Sequence, residues 1–199
     1  MRLAVDLGGT WLRWELIPDG QTGRVATADV DPLAYLRQLI ARYAVEAVAI
    51  SFAGQVHDNR ILSAPNIPAG FDPARLPVPY RIENDLKCAV LAEGRDWGSG
   101  SLTALYSGTG LGSATLERGE PVRGRRNLAG EIGHVPYRRA SFRCGCGKDN
   151  CLELYASGSG IAKWARRLNV APSLEEPAIR ERYEEALLYA AATLLTLFN

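Results

Sequence analysis

Three cysteines, Cys144, Cys146 and Cys151, fall within eight positions of the chain, and His134 lies ten residues before the first of them. Clustered cysteines in a reducing compartment point to metal more than to disulfides. Three thiolates and one imidazole make a closed tetrahedral set, and soft sulfur donors select Zn²⁺ over Mg²⁺ or Ca²⁺. Four protein ligands leave no position for a reactive water, so the expected zinc is structural. The other reading is three reduced cysteines in a flexible loop. Cys88, the fourth cysteine, stands apart.

Two glycine-rich turns carry a second kind of chemistry. Asp6-Leu7-Gly8-Gly9-Thr10 follows an apolar strand, and Ser107-Gly108-Thr109-Gly110-Leu111-Gly112 follows another. Glycine lets backbone N–H groups approach phosphate oxygens, the Thr10 and Thr109 hydroxyls add donors, and Asp6 can hold Mg²⁺ directly or through water. Neither turn opens into a helix, as a dinucleotide fingerprint requires, and neither is followed by the Gly-Lys-Ser/Thr of a Walker motif. Taken singly, each reads as a plain hairpin. Their equivalent places in a repeated plan favour two turns gripping a polyphosphate.

The third constellation is acidic. Asn84-Asp85 opens a helix after the strand-like segment PYRIE. Asp85 is either the helix N-cap or a general base that accepts a hydroxyl proton during phosphoryl transfer. Asn84 offers a donor and an acceptor to neighbouring hydroxyls. Glu131 precedes His134 by three residues, so one helical turn would put both on one face. Glu153 follows Cys151 by two, and a metal clamp would hold it near Glu131.

These residues need elements to position them. RLAVDL and WLRWELI alternate apolar and polar residues as strands do, and RVATADV reads as a third strand after the turn PDGQTGR. Asp31-Pro32 starts a helix, with Asp31 as N-cap and Leu33, Leu36, Ile40 and Tyr43 on one face. AVEAVAISFAG returns to a strand ending at Gly54, and residues 64–79, with five prolines, read as loop. NDLKCAVLAEGRDWG is a helix closed by glycine. SLTALYSGTGLGSATLERG repeats the opening strand, turn and strand, which suggests a duplicated domain plan. A helix is expected from about Cys151 to Leu168. A final amphipathic helix follows, with Ile179, Tyr183, Ala186, Leu187, Ala190 and Leu194 on its apolar face.

The totals narrow the class. Hydrophobic residues make up 47% of the 199, enough for a core. Lys plus Arg number 23 against 22 Asp plus Glu, so no general attraction to nucleic acid or anionic membrane is expected. No apolar run is long enough to span a bilayer, and Asp6 interrupts the N-terminal apolar stretch, so neither a membrane partner nor a signal peptide is expected. The default location is the cytoplasm.

Together these motifs resemble the ROK family of repressors, open reading frames and sugar kinases. DLGGT looks like the family's first phosphate motif and SGTGLG its second. NDLKCAVLAEG resembles the stretch with the catalytic aspartate, SAPNIP the loop before the sugar site, and GEIGH with CGCGKDNCLE the zinc signature. The resemblance implies an α/β, hexokinase/actin-like (ribonuclease H-like) fold, with a complete N-terminal domain over 1–105 and a partial C-terminal domain over 106–199. It implies ATP-dependent hexose phosphorylation with Mg²⁺. Asp85 would be the base. Asn84, Glu131, His134, Glu153, Asn66 and Gly54 would line the sugar pocket. Asp6, Gly8, Gly9, Thr10, Gly108, Thr109 and Gly110 would hold the nucleotide, and His134, Cys144, Cys146 and Cys151 the zinc. His134 would serve metal and sugar with its two ring nitrogens.

Two positions depart from the family. Asn150 stands where glycine usually precedes the third cysteine, and Asn tolerates left-handed backbone. Trp11 stands where many relatives carry lysine. The family continues beyond the last helix into an adenosine-cradling Gly-Gly turn, so impaired ATP binding is expected. A homodimer is the family's common assembly. The alternatives are a sugar-binding regulator or an inactive kinase remnant. With the first strand starting at Arg2, no helix-turn-helix reader is expected, and no direct nucleic-acid partner.

Overall fold

The computed structural model describes residues 1–64, 67, 70–198, and leaves 65, 66, 68, 69 and 199 undescribed. Asn66, expected at the sugar pocket, lies outside the described residues. The chain forms two compact units. The first comprises Met1–Ala89 with Arg125–Asn127, and the second Val90–Gly124 with Leu128–Asn199.

The first unit is built on a five-stranded sheet. Strands β1 (Arg2–Leu7), β2 (Trp11–Ile17) and β3 (Thr22–Ala26) form an antiparallel meander, β4 (Ala47–Phe52) adds parallel to β1, and β7 (Tyr80–Asn84) adds parallel to β4. The order is therefore β3-β2-β1-β4-β7. Leu3, Val5 and Leu7 of β1 and Leu12, Trp14 and Leu16 of β2 are buried, which is the period-two pattern of a sheet with one face on the core. Helix α1 (Pro32–Arg42) connects β3 to β4. Asp31 caps it by accepting from the Ala34 N–H at 3.0 Å, and Leu33, Leu36, Leu39 and Ile40 join the core.

Local structure departs from the sequence pattern in three places within this unit. The third strand ends at Ala26 because its register with β2 closes at Trp11↔Ala26. Thr27–Asp29 then turns as a 3₁₀ segment, with buried Thr27 donating its hydroxyl to Gly8 O at 2.7 Å. The strand expected to reach Gly54 ends at Phe52, and a short hairpin follows, β5 (Gln55–His57) and β6 (Arg60–Ser63). Its turn residues, Asp58 and Asn59, both have positive φ, and the Asn59 side chain accepts from the Ile82 N–H of β7 at 2.9 Å. Trp11, at the start of β2, carries the Arg24 guanidinium over its ring, 4.9 Å from the centroid.

Helix α2 (Asp85–Asp96) follows β7 directly, and the division between the units falls within it. The second unit repeats the opening in shorter form. Strands β8 (Leu102–Ser107), β9 (Leu111–Glu117) and β10 (Glu120–Pro121) make an antiparallel sheet of order β10-β9-β8. The cysteine loop comes next. Helix α3 runs over Gly158–Leu168 and α4 over Pro177–Phe198.

The helix expected from Cys151 begins seven residues later. Leu152–Leu154 is a 3₁₀ turn instead, Cys151 bridges to Pro136, and Ser157 is the cap of α3, accepting from the Gly160 N–H at 3.0 Å. On α4, Ile179, Ala186, Ala190 and Leu194 are buried, while Tyr183 and Leu187 are only partly so. Ala186, Ala190 and Leu194 pack with Leu111, Ile132, Leu152, Leu154, Tyr155 and Ala156. Among the described residues, no helix is long and apolar enough to cross a membrane.

Candidate functional site

In the second unit, His134, Cys144, Cys146 and Cys151 converge. One ligand atom from each lies within 4.8 Å of the others. The Cys146 and Cys151 sulfurs are 3.4 Å apart, and His134 Nδ1 is 3.6 Å from Cys144 Sγ. Around a tetrahedral zinc with Zn–S of about 2.3 Å, neighbouring sulfurs sit about 3.8 Å apart, so this donor set fits such an ion with little movement. His134 Nε2 is turned away, 3.9 Å from Glu131 Oε2.

The loop is held from both ends. Tyr137 N–H donates to Asn150 O at 2.7 Å and Leu152 N–H to Val135 O at 3.1 Å, on either side of the Pro136–Cys151 bridge. Burial pushes the Cys144 thiol up, opposed by the Cys146 backbone N–H and helped by the Cys146 thiol and Glu153, and burial also raises Cys151. Cys146 is held below its ordinary value. Burial would raise it, but the hydrogen bond from the Lys148 backbone, those from the two neighbouring thiols and the Lys148 charge outweigh that cost. Binding a metal would require the three thiols to give up their protons.

Glu153 joins this cluster to the second glycine turn. Its Oε1 accepts from the Cys144 thiol at 3.3 Å and its Oε2 from the Leu111 N–H at 3.3 Å. Gly133 packs so closely that a Cβ there would strike Leu111 O. The turn itself is braced. Gly108 N–H donates to Gly110 O at 2.9 Å, Gly158 N–H to Gly108 O at 2.8 Å and Ser159 N–H to Thr109 O at 3.1 Å. Tyr183 of α4 donates its hydroxyl to Ser107 Oγ at 2.8 Å, and Ser107 donates to Ala156 O at 2.9 Å. Ser107, Gly108 and Thr109 stay exposed.

In the first unit the equivalent turn lies between β1 and β2. Gly8 N–H donates to Trp11 O at 3.0 Å, and Gly9 and Thr10 are exposed. Asp6 accepts from Arg13 Nη1 at 3.0 Å and from Ser51 Oγ at 3.1 Å.

The same end of the sheet, where Leu7, Phe52 and Asn84 lie in register, carries the Asn84-Asp85 pair. Asn84, not Asp85, caps α2, since its Oδ1 accepts from the Lys87 N–H at 3.2 Å. The N-cap reading of Asp85 is thereby corrected; Asp85 is the first helical residue. Asn84 Nδ2 donates to Gly54 O at 3.1 Å and to Asp85 Oδ1 at 2.9 Å, and Leu86 N–H also donates to Asp85 Oδ1 at 2.9 Å. Gly54 is thus brought to Asn84, where a Cβ would strike Ser63 O and the Phe52 ring. Lys87 is almost wholly buried and donates to Asn127 O at 3.0 Å. Cys88, one residue further, is pushed up to about 11, chiefly by burial and then by the Glu83 charge.

The sequence does not single out Glu83, Lys87 or Asn127, and it places Tyr183 only on the apolar face of the last helix. Glu83 and Lys87 flank Asn84-Asp85 in the chain, and that adjacency was the available signal. Asn127 and the Tyr183 hydroxyl offer none, because their partners are distant in sequence.

A parallel-antiparallel sheet of order β3-β2-β1-β4-β7, with its opening meander repeated, is the actin-like ATPase fold, and solved ROK sugar kinases share it. The chain matches the ROK family over residues 2–196 and belongs to that family. It is 30% identical to a glucokinase of Streptomyces coelicolor, over 88% of this chain and 62% of the relative. It is also 30% identical to an N-acetyl-D-glucosamine kinase of Pectobacterium carotovorum, over 98% of this chain and 74% of the relative. A crystal structure of a ROK glucokinase from Streptomyces griseus, in complex with glucose and AMPPNP, is 32% identical with a TM-score of 0.65, covering 83% of this chain and 60% of that one. The chain thus spans about three fifths of the first of these relatives.

Proposed function

We propose that this chain carries the hexose-binding and phosphoryl-transfer groups of a sugar kinase that uses ATP with Mg²⁺. The observation that carries the reading is the β7–α2 junction. Asn84 caps the helix by accepting from the Lys87 N–H, and Asp85 stands beside it as the first helical residue. Its Oδ1 is oriented by the Asn84 amide and the Leu86 N–H. Similarity to glucokinases and N-acetylglucosamine kinases along nearly the whole chain supports the substrate class.

In this reading Asp85 orients the acceptor hydroxyl of the hexose and takes its proton as the phosphoryl group is transferred. Asn84, Glu131, His134 and Glu153 are the residues assigned to the remaining hydroxyls, and Gly54 accompanies Asn84. His134 gives Nδ1 to the metal and keeps Nε2 for the sugar, consistent with the direction each nitrogen faces. The zinc is structural; when bound, it fixes the loop that presents these groups.

Because Gly8 and Gly108 spend their N–H groups inside their own turns, the phosphates would be met by Gly9, Thr10, Thr109 and Gly110. Asp6 is already paired with Arg13 and Ser51, so it would hold Mg²⁺ through water. In phosphoryl transfer the cation neutralises charge on the phosphates. The location is the cytoplasm, as ATP and hexose substrates require, and the assembly a homodimer.

A coupled assay with ATP over glucose, mannose, fructose, N-acetylglucosamine and N-acetylmannosamine tests this. Turnover of at least one hexose, abolished by Asp85→Asn, is the expected result. No turnover of any of them by metal-loaded protein overturns the reading.

A further inference from the structure

Arg125–Asn127 is the one stretch beyond Ala89 that, among the described residues, belongs with the first unit. Its anchor is Asn127, which is buried although Arg125, Arg126 and Leu128 around it are exposed. Asn127 Nδ2 donates to Glu83 Oε1 at 2.6 Å and to Val56 O at 2.7 Å. Two acceptors on that nitrogen fix the orientation of the amide. Asn127 Oδ1 is buried with no hydrogen-bond partner among the described residues, so the amide is held through its N–H₂ group. The backbone is equally committed, because Asn127 O accepts from the buried Lys87 Nζ at 3.0 Å.

Both of these partners flank the pair at the β7–α2 junction. Glu83 Oε1 also accepts from the Asn84 N–H at 2.8 Å, and the Lys87 N–H is the one that Asn84 caps. Asn127 therefore holds the residue before Asn84-Asp85 by its side chain and the residue two beyond Asp85 by its carbonyl. Its φ of 59° puts it in the left-handed region, which Asn and Gly adopt and most residues avoid.

From this network we infer that Asn127 is a positioning residue for phosphoryl transfer, fixing the Asn84-Asp85 pair through Glu83 and Lys87. The inference rests on the kinase reading above. Buried hydrogen bonds of this kind set the direction of a reacting group, and misplacement by about 1 Å can cost about 100-fold in rate. The Asn127 loop continues four residues on to Glu131.

Two single variants and one double variant test it. Asn127→Asp puts a carboxylate oxygen against Glu83 Oε1 and Val56 O, replacing a donor by an acceptor. Asn127→Gly keeps the left-handed backbone and removes the amide, which guards against a variant that fails to fold. In Glu83→Gln/Asn127→Asp, the glutamine Oε1 can still accept from the Asn84 N–H while its Nε2 donates to the new carboxylate. Per folded molecule, both single variants are expected to lose kcat by roughly 10- to 100-fold, with KM for the hexose changed by less than about threefold. The double variant should recover much of the Asn127→Asp loss. Hydrogen exchange at the Asn84–Lys87 amides should quicken in the single variants and slow again in the double one.

Wild-type kcat and unchanged exchange in Asn127→Gly would overturn the inference. So would a lost kcat that the double variant does not restore. If the wild-type chain turns over no hexose, the kinase reading fails on its own, and the exchange at Asn84–Lys87 then decides whether Asn127 anchors the junction.

Discussion

Stripping a metal from the His134, Cys144, Cys146 and Cys151 cluster is expected to lower the melting temperature of the second unit by roughly 12–24 °C. The magnitude follows from chain closure. His134 and Cys151 are seventeen positions apart, and a cross-link closing a loop of about 15 residues stabilises the fold by about 3 kcal/mol through the unfolded state. For a unit of roughly 100 residues, each kcal/mol moves the midpoint by about 4–8 °C. The Pro136–Cys151 bridge remains without metal and holds part of the loop, so the lower end of that range is the better expectation. Differential scanning calorimetry with and without chelator reads the shift, and elemental analysis reads the zinc. Cys151→Ser should lose both the zinc and the chelator-dependent shift. Protein that carries no zinc as purified, takes none up, and melts at the same temperature with chelator would refute the metal argument.

Three further expectations are independent of the metal. Asp85→Asn should reduce kcat by about 10²–10⁴ while costing at most about 1 kcal/mol of stability, the usual worth of an acid in a first helical turn. A variant keeping more than about a tenth of the activity would remove Asp85 from the role of base. Cys88 titrates near 11 in the folded chain against an ordinary 9.0, so folding is favoured while the thiol stays protonated. That contribution, about 3 kcal/mol at most, is fully present below about pH 9 and is lost as the pH rises through about 11. Urea unfolding over that interval should be steeper in pH for the wild type than for Cys88→Ala, and parallel curves would show the thiol to be solvated. Gly133→Ala drives a methyl group into Leu111 O and should cost about 1–3 kcal/mol; unchanged thermal stability would mean that residues 130–134 do not pack on β9.

What could be read from sequence was local. β1 and β2 have the bounds that alternation assigns, because an amphipathic strand beside a tight turn has few other ways to bury Leu3, Val5 and Leu7. Asp31-Pro32 marks the start of α1 for the same reason, since cap and first-turn chemistry act within four residues. The cysteine spacing points to convergence on one ion, and His134 with the three cysteines does converge. The β5–β6 hairpin was missed because strands of three and four residues give no period to read, although Asp58-Asn59 is a turn pair suited to positive φ. The start of α3 was misread because Leu152 and Leu154 look helical by type. Their backbone is set instead by the Cys151 bridge and by the Ser157 cap. Asn127 was invisible, since Val56 and Glu83 are 71 and 44 residues away in the chain.

The placement of Glu153 joins the His134, Cys144, Cys146 and Cys151 cluster to the glycine turn of the same unit. Its carboxylate meets the Cys144 thiol on one side and the Leu111 N–H, the first residue after the turn, on the other. Gly133, next to the ligand His134, leaves room for Leu111 O and nothing larger than hydrogen. Both ends of the cysteine loop therefore rest on Leu111, which is itself buried. A glycine turn is loose by nature, since glycine loses more conformational entropy on ordering than any other residue. A metal held by the cluster would cross-link the loop that braces this turn, so less of the binding free energy would be lost to ordering it.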